Sequence, residues 1–374
     1  MISNAEKMFP SFQANNFFSY LSDHEYTICL FGFIINVFHL IVLTRRYMRT
    51  SSIYIVLISI CVCELYNLLI ILKQKFEEIL EDSMSCPLPS SILHIYFDRI
   101  TLSLTDNTLR LSTYLTVALA LIRVLVLRNL PDNRFQMFSA PGFGWLLTFL
   151  LFIISFVMSL MDYFKDQIQD VGLWKPKPGC NSITISEPLT QYSLATSDLY
   201  TFSNGIFAKL FFFTDGFFTH MVPCFLLSIL VILLALEIRK SVKLRQKNDL
   251  FKLNPHQLRN EQTTKLVNVI TVTAFLIQFV YSGMFVTEIV MGKDFDKLIY
   301  AKVAMKWILT LNSSSRMLFC AMFSCRYRNT IRRMFGLKDK MSTSRKSTFA
   351  PVESSQKGRS VSSLAPPSSP KPAT

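Results

Sequence analysis

Seven long apolar stretches recur along the chain and are separated by polar segments. Each stretch is long enough to cross the hydrocarbon core of a bilayer, which takes about 20 apolar residues in a helix. A helix satisfies its own backbone hydrogen bonds, as hydrocarbon demands. The sequence therefore predicts an all-α membrane protein, a seven-transmembrane helix bundle with spans at roughly 27–44, 52–72, 98–127, 142–161, 206–236, 263–286 and 301–323.

The polar segments alternate in charge along the chain. The first, third, fifth and seventh hold 8 Lys+Arg and 15 Asp+Glu, whereas the other four hold 23 Lys+Arg and 6 Asp+Glu. Basic residues mark the cytoplasmic side of a membrane, so we expect a multi-pass plasma-membrane protein with an extracellular N-terminus and a cytoplasmic C-terminus. The net charge of +14 then reflects topology and attraction to anionic membrane lipid, and no nucleic-acid partner is expected.

Three regions follow from this pattern. Residues 1–26 are predicted to form an extracellular N-terminus, and residues 27–337 the seven-transmembrane domain. Its last part, 326–337, spaces apolar and arginine side chains as an amphipathic eighth helix that lies on the membrane surface. Residues 338–374 are rich in Ser, Lys and Pro and are expected to form a disordered cytoplasmic tail.

Two of the eight cysteines, Cys86 and Cys180, lie in segments predicted to be extracellular. Because that compartment is oxidising, we predict a disulfide between them; two unrelated thiols are the alternative. The polar segments contain no evident metal-ligand cluster, nucleotide loop or nucleophile–base pair. Neither an enzyme nor a bound cofactor or metal is therefore expected.

Ionisable side chains inside the predicted spans are candidate functional residues, because a charge at membrane depth is costly unless it faces protein or water. Asp106 and Arg110 lie four residues apart in the third span and Asp215 lies in the fifth. Asp106 and Arg110 either neutralise each other on one helix face or contact a ligand together. The sequence alone leaves both interpretations open.

Five segments in order resemble the nematode serpentine receptor class W, a rhodopsin-like group related to FMRFamide-type peptide receptors. They cover roughly residues 26–337 and are MRTSS at 48–52, STYLTVALALIRVLVLRNLP at 112–131, HMVPCFLLSILVILL around Pro223, TTKLVNVITVTAFLI at 263–277 and LNSSSRMLFCAMFSCRYRNT at 311–330. Within the second segment, Arg123 matches the arginine of the rhodopsin-like DRY motif.

The chain departs from the rhodopsin-like pattern at four places. Ile122 stands where the DRY motif has its acid, and Tyr281 where the sixth span has a kinking proline. Arg316 and Met317 replace the Asn-Pro pair of the seventh span, and Glu64 replaces the aspartate of the second. These changes put the conventional activation pathway in doubt.

The resemblance implies roles for particular residues. Asn36, Ser112, Asn312 and Ser313 match a polar network inside the bundle, where Glu64 and Arg316 are expected to form a buried salt bridge in place of a sodium site. On the cytoplasmic side, Arg123 and Glu261 are expected to restrain the inactive state. Asp215, with Thr219, occupies a pocket-facing position; Asp215 is expected to be unpaired, unless Lys209 or Arg110 neutralises it.

The function implied by the resemblance is a G-protein-coupled receptor with an extracellular ligand and a heterotrimeric G protein as partners. A neuropeptide is the expected ligand, and the acidic extracellular segments would attract a basic one. A chemoreceptor for an environmental small molecule is the alternative. A membrane transporter is a third possibility from a different class, although the sequence has no evident inverted repeat or pair of broken helices.

Overall fold

The computed structural model describes residues 11–84, 86, 88–128, 137–174, 189–247, 255–291 and 299–336. Side chains are described in most of these ranges but not in 11–23, 203–204, 241, 244–247, 255–261, 291 or 299–303. The predicted tail at 338–374 and the first ten residues lie outside the described part of the chain.

Long helices form each of the predicted spans. They are α1 (Ser11–Leu43), α2 (Ser52–Ser83), α3 (Ile92–Arg128), α4 (Pro141–Lys165), α5 (Asp198–Gly216), α6 (Val222–Lys247), α7 (Pro255–Met291) and α8 (Ile299–Phe323). A five-residue π turn, Phe217–Met221, joins α5 to α6, so the two make one continuous fifth span. The sixth span is α7 and the seventh is α8. The predicted all-α seven-helix bundle is confirmed.

Six of these helical spans are apolar and long enough to cross a membrane by themselves. The helix of the seventh span, α8, carries Lys306 and Arg316 within its length. Among the spans, α3 packs against α2, α4, α6 and α7. The helices extend beyond the predicted spans; α2, for example, continues eleven residues past 72 to Ser83.

A two-stranded antiparallel hairpin between α4 and α5 is a feature that the sequence analysis missed. Strand β1 (Asp166–Leu173) pairs with β2 (Thr190–Thr196), starting with Asp166 opposite Thr196. A bulge between Asp170 and Gly172 interrupts the register, and Gly172 adopts a φ of 111°, which favours glycine. We call this side of the bundle the hairpin end.

The helix α9 (Cys325–Met334) follows α8 at the opposite end, which we call the α9 end. The predicted amphipathic eighth helix is therefore present. Its Tyr327 is fully buried, and the Tyr327 hydroxyl lies 2.8 Å from Nδ1 of His39 in α1. Burial raises the pKa of Tyr327, so the phenol stays a neutral hydrogen-bonding group. The chain divides into two compact units at Ile331, and the second is described only for Arg332–Gly336.

The contact between α2 and α4 depends on a glycine. A Cβ atom added at Gly144 would lie 2.9 Å from Cβ of Ile55 and 3.0 Å from the backbone of Ser52. A Cβ atom added at Gly142, two residues earlier in α4, would have no atom within 4 Å. Gly144 therefore sets how closely the two spans approach, whereas Gly142 is free to change.

We expect Gly144→Ala to lower the free energy of unfolding by about 1–3 kcal/mol, because the added methyl group meets helix backbone that cannot move aside. Gly142→Ala is the matched control, with the same chemistry in the same helix, and should leave stability unchanged or slightly higher. Thermal unfolding of the purified protein in detergent measures both. Equal effects of the two substitutions would contradict the close approach at Gly144.

Candidate functional site

A buried arginine links three spans near the hairpin end. The Arg110 side chain in α3 is only 3% exposed. Its guanidinium forms an ion pair with Asp162 of α4 through Nη2, and Nε lies 3.2 Å from Oδ1 of Asp215 in α5. Nη1 donates to Oγ of Ser159 at 2.9 Å. One cation is therefore shared by two carboxylates from neighbouring spans.

This arrangement corrects one expectation from the sequence and excludes one of two interpretations that the sequence left open. Asp215 is not an unpaired acid; its partner is Arg110, one of the two alternatives considered. Arg110 also does not pair with Asp106, although the two are four residues apart on α3. The physical reason is tertiary: a guanidinium buried at this depth needs close counter-charges, and α4 and α5 supply them from the side that it faces.

Asp106 is the acid near Arg110 that takes no part in these ion pairs. It is half-buried, and no hydrogen bond or ion pair from the described part of the chain reaches it. It lines a cavity of about 640 Å³ at the hairpin end, together with Arg110, Asp215 and Thr219. The four residues predicted to contact ligand thus lie together around one cavity.

The same cavity, which we call the hairpin-end cavity, carries a small excess of acidic groups. Apart from the imidazole of His220, its lining has four carboxyl groups and three basic groups, which are those of Asp106, Asp162, Asp215, Glu288, Arg110, Lys165 and Lys209. Aromatic rings of Phe211, Phe212 and Phe285 complete the wall. A cationic group with an aromatic or apolar neighbour is the chemistry that such a lining accommodates.

Tyr200, near the start of α5, closes one side of this cavity. Its hydroxyl donates to the backbone carbonyl of Met161 at 2.9 Å. Burial and then the nearby charges of Asp162, Asp166 and Asp215 raise the pKa of Tyr200 to about 12. Tyr200 therefore remains a neutral donor that ties α5 to the end of α4.

The π turn brings the fifth span into contact with the sixth. Pro223 has no amide hydrogen and cannot bond the carbonyl four residues earlier, which belongs to Thr219. The carbonyls of Thr219 and His220 instead accept from Nε2 of Gln278, at 2.9 and 3.1 Å. Oγ of Ser282 donates to the His220 carbonyl as well, at 2.9 Å. Side-chain hydrogen bonds thus join α7 to the π turn.

Ring packing strengthens the same junction. The His220 imidazole stacks on the Tyr281 ring, with centroids 5.6 Å apart and planes within 3° of parallel. A Cβ atom at Gly216 would lie 1.9 Å from the Phe285 ring, so only glycine lets that ring pack against the fifth span. Tyr281, which replaces the expected proline, therefore takes part in holding the fifth and sixth spans together.

A second cavity of about 330 Å³ is lined by the second, third, fifth, sixth and seventh spans. We call it the central cavity. It shares Leu109, Thr219, His220 and Tyr281 with the hairpin-end cavity, so the π turn forms part of both walls. Glu64 and Arg316 lie at its side.

The predicted ion pair between the second and seventh spans is present. Nη1 of Arg316 lies 2.8 Å from Oε1 of Glu64, and both residues are at least nine-tenths buried. Oγ of Ser313 donates to Oε2 of the same carboxylate at 3.1 Å. The guanidinium thus supplies a fixed positive charge beside the acid of the second span.

The rest of the predicted polar network is less complete. Asn36 is fully buried but donates to the carbonyl of Gly32 in its own helix. Ser112 and Asn312 line the central cavity with Glu64, and Oδ1 of Asn312 has no hydrogen-bond partner among the described residues. Of the four network residues, only Ser313 bonds the carboxylate of Glu64 directly.

Arg123 lies buried near the α9 end of α3. Its Nε donates to Oγ1 of Thr264 in α7 at 2.8 Å. Glu261, the predicted partner, is one helical turn earlier in α7, but its side chain lies outside the described residues. The contact between the third and sixth spans is therefore seen, whereas the Arg123–Glu261 pair stays a prediction.

The predicted disulfide is only partly within the described chain. Cys86 is disulfide-bonded, and the six cysteines of the spans and α9 are free. Cys180 lies outside the described residues, so the pairing with Cys180 stays a prediction.

Sequence reasoning missed several residues around these cavities. Asp162 was counted only as one charge in a polar segment, and Gln278 and Ser282 are uncharged and were not singled out. The available signal was Pro223, because a proline inside an apolar span frees a carbonyl that needs a donor from elsewhere.

We expect Glu64→Gln or Arg316→Gln alone to lower the free energy of unfolding by about 3–5 kcal/mol, because each leaves a buried charge without its partner. The double variant should recover part of that loss, since no isolated charge remains. Thermal unfolding of the four proteins in detergent gives the coupling energy. Strictly additive losses would show that the two side chains do not act as a pair.

Comparison with known proteins agrees with this architecture. The family model described as serpentine type 7TM GPCR chemoreceptor Srw matches residues 23–338, which is most of the chain. No curated protein matches the sequence. This match runs through the seven-helix bundle from α1 to the end of the described chain. The protein is therefore a member of the Srw family of serpentine seven-transmembrane G-protein-coupled chemoreceptors.

Proposed function

We propose that this receptor binds a basic ligand, an amidated neuropeptide of the FMRFamide type, in the hairpin-end cavity and passes the signal to a heterotrimeric G protein. The observation that carries the proposal is Asp106, a carboxylate without a partner in the described chain. Among the described residues that line its cavity, Arg110 is the only buried cation, and two other acids already share it. A cationic ligand group would supply the missing counter-charge.

The charge distribution supports one orientation of the receptor in the membrane. Segments at the hairpin end carry the acidic excess and those at the α9 end the basic excess. By the positive-inside rule, the hairpin end faces the outside of the plasma membrane and the α9 end faces the cytoplasm. The acidic surface would steer a basic peptide toward the mouth of the cavity.

Transmission would begin at Asp215. A cation bound between Asp106 and Asp215 competes with Arg110 for the Asp215 carboxylate, whose Oδ1 also accepts from Oγ1 of Thr219 at 3.0 Å. Thr219 belongs to the π turn that holds Gln278 and Ser282 of the sixth span. Movement at Asp215 would therefore loosen the junction between the fifth and sixth spans and shift the population toward an open state.

At the α9 end, the restraint on the inactive state would be the contact of Arg123 with the sixth span. Arg123 bonds Thr264, and we propose that Glu261 adds an ionic partner one turn away. Release of this contact would expose a cytoplasmic surface between the fifth and sixth spans, where a G protein binds. The basic residues Arg239, Lys240 and Lys243, which follow the apolar part of α6, would lie beside that surface.

The second candidate is a receptor for an environmental small molecule, which the chemoreceptor description of the family favours. Such a ligand would still need a basic nitrogen to match Asp106. Both candidates are tested by measuring calcium or cAMP responses of cells that express the chain, with a panel of amidated basic peptides and a panel of amines. Responses to neutral or acidic compounds alone would contradict either form of the proposal.

For a basic ligand found in this way, Asp106→Asn should raise the half-maximal concentration by about 10–100-fold, the cost of losing a charge-assisted contact of about 1.5–3 kcal/mol. Asp166→Asn removes the same charge at the same end but outside the cavity lining, and it should have little effect. Dose–response curves at matched surface expression make the comparison. Equal shifts for both variants would mean that only the general surface charge matters.

The junction at the π turn predicts a different phenotype. Gln278→Leu or Ser282→Ala removes donors that hold the sixth span to the fifth, so ligand-independent signalling should rise. Thr287→Ala is the control, because that hydroxyl bonds only the Gly283 carbonyl of its own helix. Basal calcium or cAMP at matched expression gives the answer, and an unchanged baseline in both junction variants would contradict this transmission route.

A further inference from the structure

Four arginines at the α9 end have no acidic partner in the described chain. Arg45, Arg46 and Arg49 lie in the turn between α1 and α2, and all three are exposed. The backbone N–H of Arg49 bonds the carbonyl of Arg45, so these two lie one helical turn apart. Arg326 lies in the first turn of α9 and is half-buried. None of the four forms an ion pair with a described residue. We call them the arginine cluster.

Arg326 connects α9 to the turn that carries the other three. Its Nη1 donates to Oγ1 of Thr50 at 2.9 Å. Its Cζ lies 5.9 Å from the ring centroids of both Tyr47 and Tyr54. The Tyr54 hydroxyl in turn lies 3.0 Å from Oγ of Ser324, between α8 and α9. The guanidinium is therefore held in place by the fold, and binding would not have to order it.

Most of the hydrogen-bonding capacity of Arg326 is unused within the described chain. A guanidinium has five N–H groups in a planar fork. Nε is buried without a hydrogen-bond partner, and the bond to Thr50 occupies only one N–H group of Nη1. The two tyrosine rings compensate part of the positive charge, but they supply no carboxylate. The outer edge of the fork, Nη1 and Nη2, is thus available to the oxygens of a phosphate, which it fits in a bidentate manner.

The arginine cluster lies at the depth of the lipid headgroups. Leu43 is the last residue of α1 and Ser52 the first of α2, and both are fully buried, so the turn at 44–51 follows one apolar span and precedes the next. Tyr327, next to Arg326, is buried against α1. In the orientation proposed above, this depth is that of the inner leaflet, which carries the anionic lipids.

We propose that the arginine cluster binds the headgroup of a polyphosphorylated inositol lipid of the inner leaflet. The fork of Arg326 would hold one phosphate, and Arg45, Arg46 and Arg49 would neutralise the others. Four or more basic residues directly beside a span suit such a multiply charged headgroup, whereas phosphatidylserine carries too little charge to match them. A bound lipid would fasten α9 to the turn between the first two spans. This lipid site is distinct from the proposed agonist site and G-protein surface.

The test is native mass spectrometry of the purified full-length receptor in neutral detergent, titrated with short-chain phosphatidylinositol bisphosphate or phosphatidylserine. The inositol lipid should bind at least about tenfold more tightly than phosphatidylserine. Arg326→Gln should weaken its binding by about tenfold, because a charge-assisted contact is lost. Arg49→Gln should weaken it by about fivefold, the usual contribution of one arginine to such binding. The Arg49 side chain contacts no described residue, so this variant should keep the fold even if Arg326→Gln disturbs α9.

Arg239→Gln is the matched control. It removes an exposed arginine at the same end, but from α6, which packs against α3 and α7. It should bind the inositol lipid as the wild type does. Soluble inositol trisphosphate should bind at least about tenfold more weakly than the lipid, because it has no acyl chains to place in the membrane.

Unchanged binding in Arg49→Gln and Arg326→Gln would overturn the lipid site, and so would an equal loss in Arg239→Gln. Equal affinity for phosphatidylserine would contradict the preference for several phosphates. Equal affinity for soluble inositol trisphosphate would mean that the occupant is not a lipid. Lipid binding is measured without any agonist, so failure here is distinguishable from failure of the proposed function.

Discussion

A guanidinium inside a membrane-spanning bundle has to find its counter-charge within the bundle, and this constraint organises the protein. Hydrocarbon offers no solvation, so an uncompensated arginine at this depth would be very costly. Arg110 meets the requirement with Asp162 and Asp215, and Arg316 meets it with Glu64. The first group ties the third span to the fourth and fifth, and the second ties the second span to the seventh. Between them they link five of the seven spans.

The same compensation gives the hairpin-end cavity its chemistry. Arg110 is satisfied by acids from two neighbouring helices, and this leaves Asp106, on its own helix, without a partner in the described chain. Asp106 lies one helical turn from Arg110. Arg110 pairs with Asp215, which accepts a hydrogen bond from Thr219 of the π turn. A ligand that neutralised Asp106 would therefore act beside the element that holds the fifth and sixth spans together.

Much of this architecture could be predicted from the chain alone, for physical reasons. Apolar length reveals spans directly, because the bilayer thickness imposes it. The Glu64–Arg316 pair could be predicted because two unusual substitutions fall at positions that face each other in the related bundles. Asp215 was expected to be unpaired, with Lys209 or Arg110 as alternative partners, because which groups it meets depends on helix rotation, and periodicity fixes that only roughly. Asp162 was overlooked because it stands at the edge of a span, where a charge is unremarkable.

Other elements could not be predicted from the sequence and became visible only in the structure. The hairpin has no strong alternation, and the π turn follows from a proline whose effect depends on a donor in another helix. Side-chain convergence across helix contacts is the part of a membrane bundle that sequence patterns describe least well.

The central claim is that Asp106 recognises a cationic group, and a reciprocal charge exchange tests it most directly. The measurement compares wild-type and Asp106→Lys receptors, each with a basic agonist and with an analogue in which a carboxylate replaces the basic group. We expect Asp106→Lys to lose its response to the basic agonist and to gain a response to the acidic analogue. A variant that responds to the basic agonist as the wild type does would contradict it.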